Sequence, residues 1–171
     1  MNLHLIDINQ SLVEQWRIAF APFPEVSIAC GDILSVAHHC LVSPANSHGF
    51  MDGGIDDQYR HFFGAQIERT VQEAMLRRPE QMLPVGASLV VPTQHERIPW
   101  LIVAPTMEMP EAVPAEHVGR ALRAVLRLVR RHHELNGDVF CPGLGTLTGR
   151  VPPDMAAQEM ALAYSNWLET Q

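Results

Sequence analysis

The residues of this chain that could carry chemistry gather in two short stretches. The first runs Ser43-Pro44-Ala45-Asn46-Ser47-His48-Gly49-Phe50-Met51-Asp52-Gly53-Gly54-Ile55-Asp56. An apolar run stops, small and polar residues follow, and a Gly-Gly pair feeds a segment that opens with Asp56 and Asp57. Glycines ahead of a helix let main-chain N–H groups approach an anion, and the positive end of the helix dipole favours negative charge there. The second stretch runs Cys141-Pro142-Gly143-Leu144-Gly145-Thr146-Leu147-Thr148-Gly149-Arg150, with three glycines, two hydroxyls and one arginine. Either stretch alone reads as a turn. Both follow apolar runs and precede helical patterns, and together they read as a site that holds a diphosphate by backbone amides.

The elements that must position these loops follow from periodicity. Apolar, β-branched runs at 3–8, 25–30, 40–43, 88–92, 100–104 and 139–141 predict strands. The hydrophilic segment 93–99 joins two of them as an antiparallel pair. Helical spacing predicts helices over 10–20 and 116–134, and over 55–78 with an interruption near Gly64. A last helix opens at Pro153, where a missing N–H costs nothing, and runs through 155–168. Val118, Leu122, Val125, Leu126 and Val129 share one face of the 116–134 helix, and Arg120, Arg123, Arg127, Arg130 and Arg131 share the other, read as a solvated face. Strands alternating with helices predict a single α/β domain over residues 1–171. In such sheets ligands bind beyond the carboxyl ends of the strands, so the loops after Cys30, Ser43, Ala104 and Cys141 matter most.

Composition narrows the chemistry. All 12 basic residues are arginine, which removes Schiff-base and P-loop-lysine mechanisms. Against 19 acids they leave a net charge of −7, which argues against non-specific nucleic-acid binding. A 47% hydrophobic, 18% charged chain has the balance of a large core rather than of disorder. The longest apolar stretch is far short of a bilayer span, and the first residues do not resemble a signal peptide. Cys30, Cys40 and Cys141 have no metal-like spacing and fit a reducing compartment, so a cytoplasmic location is expected. His38-His39 and His132-His133 lack the further ligands a zinc site requires.

Gly31-Asp32-Ile33, Ser43-Pro44-Ala45-Asn46, Gly53-Gly54-Ile55-Asp56 and the loop from Gly143 to Gly149 resemble, in this order, the signature of macro domains. The resemblance covers nearly the whole chain and is nearest to bacterial and phage-type members. It implies a three-layer α/β/α fold with a central mixed sheet and a site for ADP-ribose or a related adenine nucleotide, free or protein-linked. It implies no cofactor, no metal and neither a nucleic-acid nor a membrane partner.

The resemblance also implies residue roles. Asp32 would accept a hydrogen bond from the adenine amino group, with the Ile33 backbone beside the purine; a helix or turn cap is the alternative for Asp32. Gly53, Gly54 and Ile55 would approach the diphosphate and distal ribose from one side. Gly143, Gly145, Thr146, Leu147, Thr148 and Gly149 would close from the other. Asn46 would hydrogen-bond the distal ribose, and Asp56 would direct a water at the anomeric carbon, which makes these two the catalytic pair. Two positions depart from the family pattern. Ser43 stands where hydrolytic members often carry asparagine, and Arg150 stands where an aromatic residue often stacks on the ribose. The expected function is hydrolysis of an ADP-ribosyl ester on protein, O-acetyl-ADP-ribose or ADP-ribose 1″-phosphate. The alternatives are a binding module without turnover, or a fold turned to another nucleotide or to protein contact.

Overall fold

The structure is a computed structural model and describes residues 1–170. Six strands form one sheet: β1 (Asn2–Asp7), β2 (Ser27–Cys30), β3 (Cys40–Ser43), β4 (Leu89–Pro92), β5 (Trp100–Val103) and β6 (Asp138–Cys141). Their order is β2-β1-β6-β3-β5-β4, parallel except that β4 runs antiparallel to β5. The helices are α1 (Gln10–Ala19), α2 (Ile33–Val36), α3 (Gly54–Phe63), α4 (Gln66–Leu76), α5 (Glu116–Arg131) and α6 (Pro153–Glu169). This is the α/β/α sandwich with a mixed sheet that the sequence predicts.

Strand alternation builds the two core layers. Cys40, Val42, Ile102, Val139 and Cys141 point to the side of α1, α5 and α6, whereas Leu41, Leu101, Val103 and Phe140 point to the side of α3 and α4. The registers pair Leu41 with Leu101 and with Phe140, so a continuous apolar row crosses the sheet centre. Strands buried on both faces must be apolar along their length, which is why they read as unbroken runs. Trp16 is fully buried in the first layer and donates from Nε1 to Met160 Sδ at 3.3 Å. Each large side chain buried in this way contributes about 1.5–3 kcal/mol.

The interruption expected near Gly64 divides the 55–78 segment into two helices, because Gly64 takes φ +96°, a left-handed conformation that ends α3. Elsewhere the structure departs from the expectation. The 116–134 helix ends at Arg131, and a 3-10 turn follows at His133–Leu135. The four-residue α2 was not foreseen, since one turn is too short to show a period. Among the described residues, no helix is long and apolar enough to cross a membrane, and no group of three or more metal-ligating side chains is assembled.

Candidate functional site

Five parallel strands end at one rim, and three of the loops that rise from it enclose a common space. They are the β3–α3 loop (44–53), the β5–α5 loop (104–115) and the β6–α6 loop (142–152). Between them lies a cleft of about 300 Å³. Its walls include Asn46, Gly53, Gly54, Ile55 and Asp56 from the first loop and helix, and Gly143, Gly145, Thr146, Leu147, Thr148 and Gly149 from the third. The two sequence-predicted stretches therefore face each other. A Cβ built on Gly54 would lie 3.8 Å from Leu147 Cδ1 across the gap.

The first loop is held in place by its neighbours. Thr106 N–H donates to Ala45 O at 3.0 Å, Ser47 N–H to Met107 O at 2.9 Å, and Met51 N–H to Glu68 Oε2 at 2.7 Å. Asn46 holds the turn from within. Its Oδ1 accepts from the N–H groups of His48 and Phe50 at 3.1 and 3.2 Å, and its Nδ2 donates to Phe50 O at 2.9 Å. The amide expected to meet a ribose is thus paired with its own loop. His48 lies on that turn, outside the cleft walls.

The N-cap of α3 is Gly53, which has no side-chain acceptor to offer the first turn. Among the described residues, no acceptor is paired with the N–H groups of Gly54, Ile55 or Asp56. Unsatisfied first-turn donors and the positive end of the helix dipole converge at this point, as an anion site requires.

The third loop offers the same kind of surface. Gly143 N–H donates to Asp7 Oδ2 at 2.9 Å, and Val151 N–H returns to Gly145 O at 3.0 Å. Arg150 N–H turns back to Leu147 O, and Val113 N–H reaches Gly149 O at 2.9 Å. A Cβ on Gly149 would lie 2.6 Å from Gly145 O, so only glycine lets the loop fold this tightly. These bonds use the amides of Gly143, Arg150 and Val151 and the carbonyls of Gly145, Leu147 and Gly149. Among the described residues, the N–H groups of residues 145–149 have no acceptor and remain available to a ligand.

Asp56 is 6% exposed, and Ser43 Oγ donates to its Oδ1 at 2.6 Å. Burial raises the carboxyl from 3.8 to about 7, an effect partly offset by the Ser43 hydrogen bond. Ser43 does not line the cleft; it acts on the site through Asp56. Tyr59 lies behind them, donating to Val42 O at 3.1 Å, and burial with the nearby Asp56 charge holds its phenol well above the usual range. Among the described residues no arginine lines the cleft, so its polar character comes from main-chain donors, from the side chains of Asn46, Thr106, Thr146 and Thr148, and from Asp52 and Asp56.

Besides Ser43, three predicted residues sit away from the cleft walls. Asp32 is exposed and caps α2, accepting from Leu34 N–H at 3.0 Å and Ser35 Oγ at 2.7 Å. Ile33 is buried in the core beneath it. Arg150 is exposed, in a left-handed conformation at φ +55°. Cys141, at the start of the third loop, is wholly buried, and burial holds its thiol far above the usual range, so it packs as a small apolar residue.

Sequence reasoning missed the supports. Asp7 and Glu68 each pin a loop across more than a dozen residues, and Thr106, Met107 and Pro110 close the third wall. Asp7 stands at the carboxyl end of β1, and that position was the one available signal.

A family model described as Macro domain matches residues 42–160. An uncharacterized protein of Aquifex aeolicus is 36% identical over 138 residues, covering 80% of this chain and 78% of that protein. Another, from Aeropyrum pernix, is 30% identical over 141 residues, covering 82% and 70%. Among solved structures, the macrodomain of Mycobacterium tuberculosis DarG shares the fold with a TM-score of 0.68 and 23% identity, over 81% of this chain and 88% of that one. The Oceanobacillus iheyensis macrodomain with ADP shares it with a TM-score of 0.69 and 20% identity, over 82% and 75%.

Proposed function

The chain belongs to the macro domain family, and from that premise we propose that its rim cleft binds ADP-ribose, free or protein-linked, and hydrolyses an ADP-ribose derivative. One observation carries the reading. Among the described residues, two rows of unpaired main-chain N–H groups face each other across a cleft with no cationic side chain in its walls. A diphosphate matches such a surface, because it brings acceptors on both sides of its bridging oxygen. Structures of the same fold support this choice of ligand: one is a macrodomain with ADP, and another is Thermosipho africanus DarTG in complex with ADP-ribose.

In this reading the diphosphate lies between Gly54–Asp56 and residues 145–149, and the distal ribose turns toward Asn46 and Asp56. Asn46 acts by fixing the loop shape rather than by its own amide. Asp32 and Ile33 bound the adenine end outside the cleft proper. Water oxygen bonds to the anomeric carbon as the bond from that carbon to the leaving oxygen breaks, and Asp56 takes the water's proton. The loop amides hold the charge that develops. The substrates are an ADP-ribosyl ester on protein, O-acetyl-ADP-ribose or ADP-ribose 1″-phosphate.

Calorimetry with ADP-ribose, ADP, AMP and GDP tests the site; no binding of ADP-ribose below about 1 mM overturns it. Incubation with mono-ADP-ribosylated protein then separates an enzyme from a binding module. The binding module is favoured by one feature, the Asn46 amide committed to its own loop. Binding with no release of ADP-ribose selects it.

A further inference from the structure

A second concave surface lies at the other end of the sheet, where β1 and β6 begin and α5 and α6 finish. It is a groove of about 250 Å³ between α5 and α6, with Ala163 and Trp167 among its floor residues and Arg123, Arg127 and Arg130 along its wall. A neighbouring hollow of about 390 Å³ reaches Met1 and Arg131 and shares Arg130 and Trp167 with it. We propose that this groove docks a short acidic peptide segment that carries an apolar anchor, a role independent of the nucleotide cleft.

The argument starts from charge. The chain carries −7 overall, yet five of its 12 arginines lie on α5 alone. Among the described residues, none of those five has a carboxylate within ion-pairing distance, although the protein has a surplus of acids. Arg120 and Arg127 hold the carbonyls of Val85 and Gly86, and Arg130 holds that of Thr170. Arg123 and Arg131 have no acceptor among the described residues.

A second observation is independent of charge. The Trp167 indole N–H is shielded from solvent and has no acceptor among the described residues, although buried donors are as a rule paired. The ring packs at a tilt of 36° against Tyr164, with centroids 5.5 Å apart, and borders both hollows. The three arginines of the wall offer only donors, and Asn166 and Thr170 complete the polar lining, so the charged part of an occupant must supply acceptors.

Carboxylates meet arginine forks with two parallel hydrogen bonds. The largely apolar floor asks for an aliphatic or aromatic side chain between them. Arg123, Arg127 and Arg130 span about 10 Å of helix, the length of a few peptide residues. A long polyanion gains less, because beyond this short row it meets a chain of net charge −7.

The test follows the Trp167 indole N–H signal in labelled full chain, assigned with Trp167→Phe, during titration with a synthetic pool of short peptides. Each peptide has Glu or Asp on both sides of one Leu, Phe or Trp. The signal is expected to shift, with at least about tenfold weaker binding in Arg123→Gln/Arg131→Gln and an unchanged response to ADP-ribose. A pool with Gln for every acid should bind far more weakly. No shift at about 1 mM peptide, equal binding of the neutral pool, or tighter binding of single-stranded oligothymidylate each overturns the proposal.

Discussion

Replacing Asp56 by Asn removes a buried charge and leaves the shape. The Ser43 hydroxyl that donates to the carboxylate at 2.6 Å can donate equally to an amide oxygen. In the unfolded chain the carboxyl titrates near 3.8, and in the folded chain near 7. The folded state therefore holds the proton more tightly. The associated stability is fully present below the unfolded value and is lost as pH rises through the folded one. That difference amounts to about 4 kcal/mol above neutrality. The stability gap between Asp56→Asn and wild type should be small near about pH 4 and should widen in favour of the variant with rising pH, levelling off above about pH 8. In a chain of this size it corresponds to a midpoint shift of about 10 °C. Thermal or urea unfolding of both proteins across this range measures it, and subtraction cancels every other titrating group. Any penalty from the new amide is independent of pH and drops out of the slope. A gap that stays flat with pH, or one that favours wild type as pH rises, refutes the buried-carboxyl account. A carboxyl carbon titration of Asp56 with its midpoint near the ordinary 3.8 does so as well.

The remaining predictions concern the cleft. Gly53 has extended backbone and nothing within 4 Å of a built Cβ, so Gly53→Leu should fold normally and fill the cleft. Calorimetry should show ADP-ribose affinity falling at least about a hundredfold, with the unfolding midpoint unchanged. Asp7→Ala leaves the Gly143 N–H without its acceptor and should destabilise by about 1–3 kcal/mol in denaturant melts while also weakening the ligand. If Asp56 is the base, kcat/KM should rise with pH through about 7 in a rate profile, and Asp56→Asn should abolish turnover; a flat profile removes Asp56 from the mechanism. Asp32→Ala should weaken adenine nucleotides by about 1–3 kcal/mol, and unchanged affinity by calorimetry would move the base elsewhere.

Much of this molecule is written locally in the chain. Unbroken apolar runs give the buried strands, because a residue flanked by helices on both sheet faces has no solvent side to spend on polarity. Gly64 and Pro153 mark a helix end and a helix start through backbone constraints that act within one residue. The glycine-rich stretches announce where main chain can come close to an anion.

Tertiary structure decided what those stretches do. Asp56 reads in sequence as an acid at a helix start, and only folding buries it against Ser43 and lifts its titration toward neutrality. The family resemblance implies a ribose ligand at Asn46, and only the folded loop shows its amide spent on His48 and Phe50. Asp7 is 136 residues away from the Gly143 amide it holds, so no local pattern could pair them. Spacing along a chain reports backbone conformation, which is short-ranged. Burial and hydrogen-bond partnership depend on which distant segments the sheet order brings together, and that order is a property of the whole fold.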